Sequence, residues 1–426
     1  MSERFLAPDL ARGVMLLFIA VANSHYFLQN GPALGGFPVG TTGIDAFLVG
    51  LIATLVDGRA YPMFAALFGY GLVQIYRRQQ AAGKDWKPIR KLLRRRSLWM
   101  IVIGFLHGIF LYVGDILAAY GILAFLLVPA LRWKTRTIVT LASLAFVITS
   151  LPLGGSLAVE STVAPEPAML PQGIWSGVMD RAPALLVLVP LYPIGLLLPF
   201  LIGILAARAR LLELPGQHLT LLRCVAGFGI STAILGGLPV GLVLAGVIDQ
   251  PAANTLGLLG TLHDATGHFG GLGYAAAIAL LANRISATPT NVGRGRVVTA
   301  LAAVGQRSMT CYLAQSLVWT LAFAPYAFNL TPHLTVTSLA GIAVATWLAT
   351  VLLANWMHHR GLRGPFEVLL RKLTYRERKL TDDEKKQPYR AKTAGDAASG
   401  TTNTGAPEPL AGTDQMSEPP SDPVKP

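Results

Sequence analysis

Residues 94–115 read RRRSLWMIVIGFLHGIFLYVGD. Three consecutive arginines, Arg94, Arg95 and Arg96, lead into an apolar run from Ser97 to Val113 that carries His107 in its second half and stops at Gly114-Asp115. At about 1.5 Å per residue such a run reaches roughly 25 Å as a helix. That is close to the ~30 Å of hydrocarbon in a bilayer. Guanidinium groups are costly in that layer, so the arginines mark where it ends on one side. The stretch predicts a membrane-spanning helix with a basic inner flank.

Working outward, the same pattern recurs along the chain. Apolar segments fall at about 13–29, 44–76, 97–113, 115–133, 137–158, 184–207, 223–247, 255–283, 298–326 and 334–357. The composition agrees: 53% of the residues are hydrophobic and 13% charged, against roughly 25% charged in a soluble domain. A soluble surface of this size could not be covered with so few charges. The second segment is too long for one straight span. It is interrupted at Asp57-Gly58-Arg59 and at Pro62, and such breaks are tolerated where protein or a wet cavity surrounds them.

The basic residues alternate between the two sides. Arg77, Arg78, Lys84, Lys87, Arg90, Lys91, Arg94, Arg95 and Arg96 fill one connection; Arg132, Lys134 and Arg136 follow on that side, then Arg208, Arg210 and Arg223, then Arg284, Arg294 and Arg296, and finally Arg360 to Lys379. Segments 30–43, 248–254 and 327–333 hold no Lys or Arg, and 159–183 holds Arg181 alone. The positive-inside rule therefore gives an all-α, polytopic bundle of about ten spans with both termini in the cytoplasm. The net charge of +13 is accounted for by these flanks. No basic stripe with interleaved aromatics points to nucleic acid. Residues 1–375 form the transmembrane domain, with a motif-rich second part at about 223–375. Residues 376–426 read as a disordered cytoplasmic tail, poor in apolar residues. Residues 364–375 suit an amphipathic interfacial helix. The expected setting is a multi-pass protein of the cell (plasma) membrane, with the lipid bilayer as partner.

Polar side chains within spans are functional candidates because each is expensive there. They are Asn23 and His25 at the end of the first span, Asp45, Asp57 and Arg59 in the second, His107 and Asp115 around the third, and Arg307, Tyr312 and Gln315 in the ninth. His107 lies about 15 Å up its helix from Ser97, near mid-membrane. A neutral imidazole there that can accept a proton is what a general base needs. The competing readings are structural: Asp57 pairing with Arg59 across the break, His107 as a packing residue, and Asp115 capping the fourth span. His263, Asp264 and His268 read as residues near a span mouth, and no metal site is expected. Cys224 and Cys311 lie apart within apolar segments and suggest no disulfide framework.

Several motifs resemble one family in order. They are Asp9-Leu10-Ala11-Arg12-Gly13 with the following run to Asn23, then residues 57–71 from Asp57-Gly58-Arg59 to Gly69-Tyr70-Gly71. Arg94-Arg95-Arg96, Gly104-Phe105-Leu106-His107 and Gly114-Asp115-Ile116-Leu117 follow. Gly305-Gln306-Arg307-Ser308 through Gln315-Ser316 and Gly364-Pro365-Phe366-Glu367 complete the set. Together they resemble the DUF418, or YeiB-type, membrane proteins over residues 5–375. That family is distantly similar to transmembrane acyltransferases of the heparan-glucosaminide acetyltransferase kind, which implies an acyl group taken from cytoplasmic acetyl-CoA or another acyl-CoA. In that reading Asn23 polarises the acyl carbonyl, and His107, supported by Asp115, deprotonates the acceptor. The acceptor, a small molecule, glycan or lipid, would arrive from the membrane or beyond it. His25, Asp45, Asp57, Arg59, Arg307, Tyr312 and Gln315 would line substrate sites. The alternative is a secondary transporter of a small solute, since broken helices with polar residues also build midplane transport sites.

Overall fold

The computed structural model describes residues 5–28, 31–151, 160–161, 167–287 and 295–375. The expectation of a disordered tail falls outside the described residues. Helix α1 covers Leu6–Ser24, and the apolar segment that follows the first outer connection divides into α2 (Gly43–Leu55) and α3 (Ala60–Ala81). Helices α4 (Trp86–Phe110), α5 (Leu117–Leu127), α6 (Thr135–Thr149), α7 (Ile174–Arg208), α8 (Leu219–Leu244) and α9 (Ala253–Ala287) follow. Next come α10 (Arg296–Gln306), α11 (Ser308–Phe323), α12 (Val336–His359) and the short α13 (Pro365–Thr374). A small antiparallel sheet sits beyond the outer end of α1, where β1 (Ala33–Leu34) pairs β2 (Phe37–Pro38) and β3 (Glu160–Ser161).

Five of the helical stretches meet the length and apolarity of a membrane span by themselves: Leu6–Phe27, Ile174–Arg208, Pro215–Leu244, Ala253–Ala287 and Val336–His359. The alternation of basic and non-basic connections supplies the other crossings: α2 with α3, α4, α5, α6, and α10 with α11. Large apolar side chains stay exposed on the bundle, as on α4 at Leu98, Val102, Leu106 and Phe110, which recur every four residues on one face. That stripe faces lipid; in water it would be an aggregation surface. Phe5 and Tyr375 line one cavity at the basic face. The first and last described residues of the bundle therefore share the side that the positive-inside rule makes cytoplasmic.

Lipid tails are as apolar as leucine, so helices here associate through close packing and polar ties. The α1–α10 crossing shows it. A Cβ added at Gly305 would overlap the carbonyl of Asp9, and one at Gly13 would overlap that of Leu301. Side-chain donors on α9 and α12 add ties between helices. Tyr274 Oη donates to Leu55 O at 2.8 Å, and Trp347 Nε1 to Gly13 O at 3.0 Å.

Several boundaries differ from the hydropathy reading: α1 begins at Leu6 rather than about 13 and α4 at Trp86 rather than 97, because each helix continues past the apolar run into its basic flank, and two further differences involve buried arginines. Helix α7 begins at Ile174 rather than about 184, so its outer turns hold Asp180 and Arg181. Arg181 is buried because its guanidinium donates to Ala168 O at 2.7 Å and Met169 O at 3.4 Å. Hydropathy registers the charge and not these local acceptors. The ninth apolar segment, read as one span, is divided at Arg307 into α10 and α11.

Candidate functional site

The connection between α4 and α5 builds a buried dyad. His107 is in the last turn of α4, and Asp115 precedes α5 after a tight turn. His107 is 4% exposed and Asp115 0%. His107 Nδ1 lies 2.7 Å from Asp115 Oδ1, while Asp115 Oδ2 accepts from Ala118 N at 2.7 Å in the first turn of α5. Asp115 thus combines the capping role and the imidazole contact, one oxygen for each. For a neutral imidazole this carboxylate selects the tautomer with the proton on Nδ1 and a lone pair on Nε2. Nε2 is buried and has no hydrogen-bond partner among the described residues. Tyr312, on α11, closes the group: its hydroxyl donates to Asp115 Oδ1 at 3.5 Å, and its ring centroid is 5.1 Å from that of His107.

A cavity of about 350 Å3 leads from the cytoplasmic face toward this dyad. Phe5, Arg78, Arg371 and Tyr375 stand at its exposed end, and Ile19, Phe64, Ile116, Leu117 and Tyr312 at its deep end. His107 does not line it. Tyr312 is the side chain that both lines the cavity and touches the dyad. Gln315, one turn further along α11, donates to Leu16 O at 3.4 Å, and its Oε1 has no partner among the described residues.

The remaining candidates lie elsewhere. Asn23 is half-buried in the last turn of α1 and is absent from the cavity lining. His25 is 1% exposed, stacked on Phe37 with centroids 3.8 Å apart, and neither ring nitrogen has a partner among the described residues. Asp45 accepts from Thr337 N at 2.8 Å and Thr337 Oγ1 at 2.5 Å, tying the start of α2 to the start of α12. Arg307 donates to Ala303 O at 3.1 Å and Leu362 O at 2.5 Å, which binds the α10–α11 break to the turn before α13.

Arg59 is fully buried at the α2–α3 break. It donates to the carbonyl of Asp57 and to Ala233 O at 2.8 Å, and lies 2.5 Å from His263 Nε2. No ion pair joins it to the Asp57 carboxylate among the described residues, so the break is held by guanidinium–carbonyl bonds. His263 Nδ1 is 3.2 Å from Asp264 Oδ1, and its Nε2 is also 2.9 Å from Ala53 O. Gly58 adopts φ +74°, a conformation natural for glycine. A Cβ there would sit 2.9 Å from the His263 ring. The carbonyls freed by the break are thereby served from α9 and Arg59 itself, as membrane depth demands. His263 and His268, read from sequence as lying near a span mouth, are 1% and 3% exposed; the burial follows from the break packing against α9.

Sequence reasoning missed the cavity lining. Asp9, Arg12, Arg96, Tyr120 and Glu367 all contribute to it. Their charges read as topology signals or motif letters. The available clue was Asp9 and Arg12 at i, i+3 just before the first apolar segment; the structure places both inside α1, where they pair at 3.5 Å. The Glu367 carboxylate accepts from Met309 N at 2.8 Å, Thr310 N at 3.2 Å and Thr310 Oγ1 at 2.5 Å. It caps the start of α11 from α13 and so explains why residues 305–316 and Gly364-Pro365-Phe366-Glu367 occur together.

Fold and site define a class: a multi-pass helical membrane protein with a basic inner cavity and a buried His–Asp pair beyond it. Comparison with known proteins agrees at the level of family. Residues 206–377 match the family described as Protein of unknown function (DUF418). The chain is 27% identical over 398 residues to the uncharacterized protein YeiB of Escherichia coli K12, covering 88% of this chain and 97% of the relative. It is 25% identical over 412 residues to the uncharacterized protein YxaH of Bacillus subtilis 168, covering 88% and 95%. Residues 206–377 thus carry the DUF418 match, and the chain as a whole is similar to the YeiB-type proteins.

Proposed function

We propose that the protein is a plasma-membrane acyltransferase that draws an acyl-CoA from the cytoplasm and delivers its acyl group to an acceptor reaching His107. The observation that carries the reading is the cavity from the basic inner face to Tyr312, the side chain bonded to the His107–Asp115 pair. In this reading His107 Nε2 takes the proton of an acceptor hydroxyl or amine as that atom attacks the thioester carbonyl. The tetrahedral intermediate then expels the CoA thiolate, which receives the proton back from the imidazolium. Asp115 holds the tautomer and offsets the imidazolium charge. Asn23, expected to polarise the carbonyl, lies outside the cavity lining, and the Tyr312 hydroxyl takes that part by turning its single proton from Asp115 Oδ1 to the carbonyl oxygen. Purified protein in lipid nanodiscs, given radiolabelled acetyl-CoA and a mixture of amine, glycan and lipid acceptors, should release CoA in a His107-dependent manner. Absence of donor binding at millimolar acetyl-CoA would sink the reading.

A second reading, secondary transport of a small solute, is favoured by the broken α2–α3 segment with Arg59 fully buried at the break. It has the architecture of a midplane site. Proteoliposomes that accumulate solute under an ion gradient, with no CoA released, would select it over acyl transfer.

A further inference from the structure

The cavity is graded. Its deep half is apolar or aromatic, walled by Ile19, Phe64, Met100, Ile116, Leu117 and Tyr120. Toward the cytoplasm it collects four arginines, Arg12, Arg78, Arg96 and Arg371, against two carboxylates, Asp9 and Glu367. Those carboxylates are engaged: Asp9 pairs with Arg12 at 3.5 Å, and Glu367 caps α11. Arg96 differs from Arg12. Its described contacts are Met100 Sδ at 2.8 Å and the face of Phe68, 5.8 Å from the ring centroid. Both are soft, uncharged partners that steer a guanidinium without neutralising it; the charges that act on it through space are Arg12 and Glu367, whose carboxylate is already bound to the start of α11. Successive helical residues diverge by about 100°, so of the three consecutive arginines Arg96 alone lines the cavity, while Arg94 stacks over Phe125 at 5.2 Å.

We infer that Arg96 is the phosphate anchor of this cavity, and that the cavity takes a phosphate ester on a less polar stem. A planar guanidinium held by an aromatic face and a thioether presents its N–H fork as a preformed bidentate partner for phosphate oxygens. The apolar depth would receive the stem. The inference deepens the acyl-CoA reading and rests on the same cavity, yet phosphate esters have two sources here: a nucleotide thiol such as CoA, and an anionic lipid headgroup.

The test uses the full chain in phosphatidylcholine nanodiscs. CoA, which carries no acyl group, is titrated by calorimetry, and phosphatidic acid is titrated into the nanodiscs and read by native mass spectrometry. Arg96→Met should weaken one of these ligands roughly 10- to 100-fold, the range for losing a charge-assisted hydrogen-bond pair. Arg96→Lys should recover part of it, and Arg94→Met should stay within about threefold. Loss for CoA identifies the nucleotide source, and loss for phosphatidic acid the lipid source. If neither ligand binds, or Arg96→Met and Arg94→Met behave alike for both, the inference is overturned. Should Arg96→Met not fold, the Arg96→Lys titration decides by the same criterion. CoA binding through Arg96 without acyl transfer would leave the anchor standing and remove the enzyme reading; transfer undiminished in Arg96→Met would do the reverse.

Discussion

Replacing Asp115 by Asn tests the dyad most directly. The wild-type carboxylate has one oxygen 2.7 Å from His107 Nδ1 and the other 2.7 Å from Ala118 N, and it is fully buried. Asparagine keeps the volume, and its carbonyl can still accept from Ala118 N. Its amide nitrogen must then face His107 Nδ1, and a donor there forces the imidazole proton onto Nε2. The substitution therefore moves a proton across the ring and removes the lone pair from the face beyond Asp115. A charge-assisted hydrogen bond is also lost, costing about 1.5–3 kcal/mol of stability, whereas Asp115→Ala, which strips the bond to Ala118 as well, should cost more. Acyl transfer should fall roughly 10²–10⁴-fold, the usual contribution of a positioned general base. The tautomer can be read without any turnover: 15N solid-state NMR of histidine-labelled protein should show His107 protonated on Nδ1 in the wild type and on Nε2 in Asp115→Asn. A wild-type His107 protonated on Nε2, or a tautomer unchanged by the substitution, would refute the reasoning whatever the activity.

Glu367→Gln should loosen α13, because a neutral amide replaces a carboxylate that accepts from Met309 N, Thr310 N and Thr310 Oγ1; a loss of about 1–3 kcal/mol should appear as a lower melting temperature and faster proteolysis near residues 360–375. Gly305→Val should abolish folding, since any Cβ there overlaps the Asp9 carbonyl at the α1–α10 crossing, and size-exclusion chromatography in detergent reads the outcome; a monodisperse variant with wild-type melting would contradict the packing. Asp45→Ala should cost about 0.5–2 kcal/mol, because Thr337 N in the first turn of α12 loses its carboxylate acceptor while the Thr335 cap stays, measurable as a shift in thermal melting. In a Cys224→Ser background, Lys84→Cys should react with a membrane-impermeant maleimide only from the cytoplasmic side and Val39→Cys only from the outside; reversed labelling would invert the orientation.

The amino-acid sequence by itself determined the class, the crossings and their direction. Apolar length and the side on which Lys and Arg fall are local quantities, read one segment at a time, and the bilayer enforces both. Motif order gave the resemblance to the DUF418 proteins for the same reason. The break at Asp57-Gly58-Arg59 was also legible, because glycine flanked by charges interrupts an apolar helix wherever it falls at mid-span. Only tertiary structure decided what the polar residues do. Asp45, Arg59 and Arg307 satisfy backbone groups of other helices or of broken ones, at Thr337, Ala233 and Leu362, and such partners lie tens to hundreds of residues away. Nothing local separates an arginine that ties down a carbonyl from one that lines a cavity. Arg94, Arg95 and Arg96 are identical in sequence terms, and the rotation of α4 against α1, α3 and α13 makes Arg96 the one that faces the cavity. His107 and Asp115 were adjacent enough to be suspected as a pair, because the turn at Gly114 returns the chain on itself. The link from that pair through Tyr312 to the cytoplasmic cavity exists because α11 brings Tyr312 and Thr320 onto the end of α4 and the turn before α5, a long-range arrangement that hydropathy and charge do not encode.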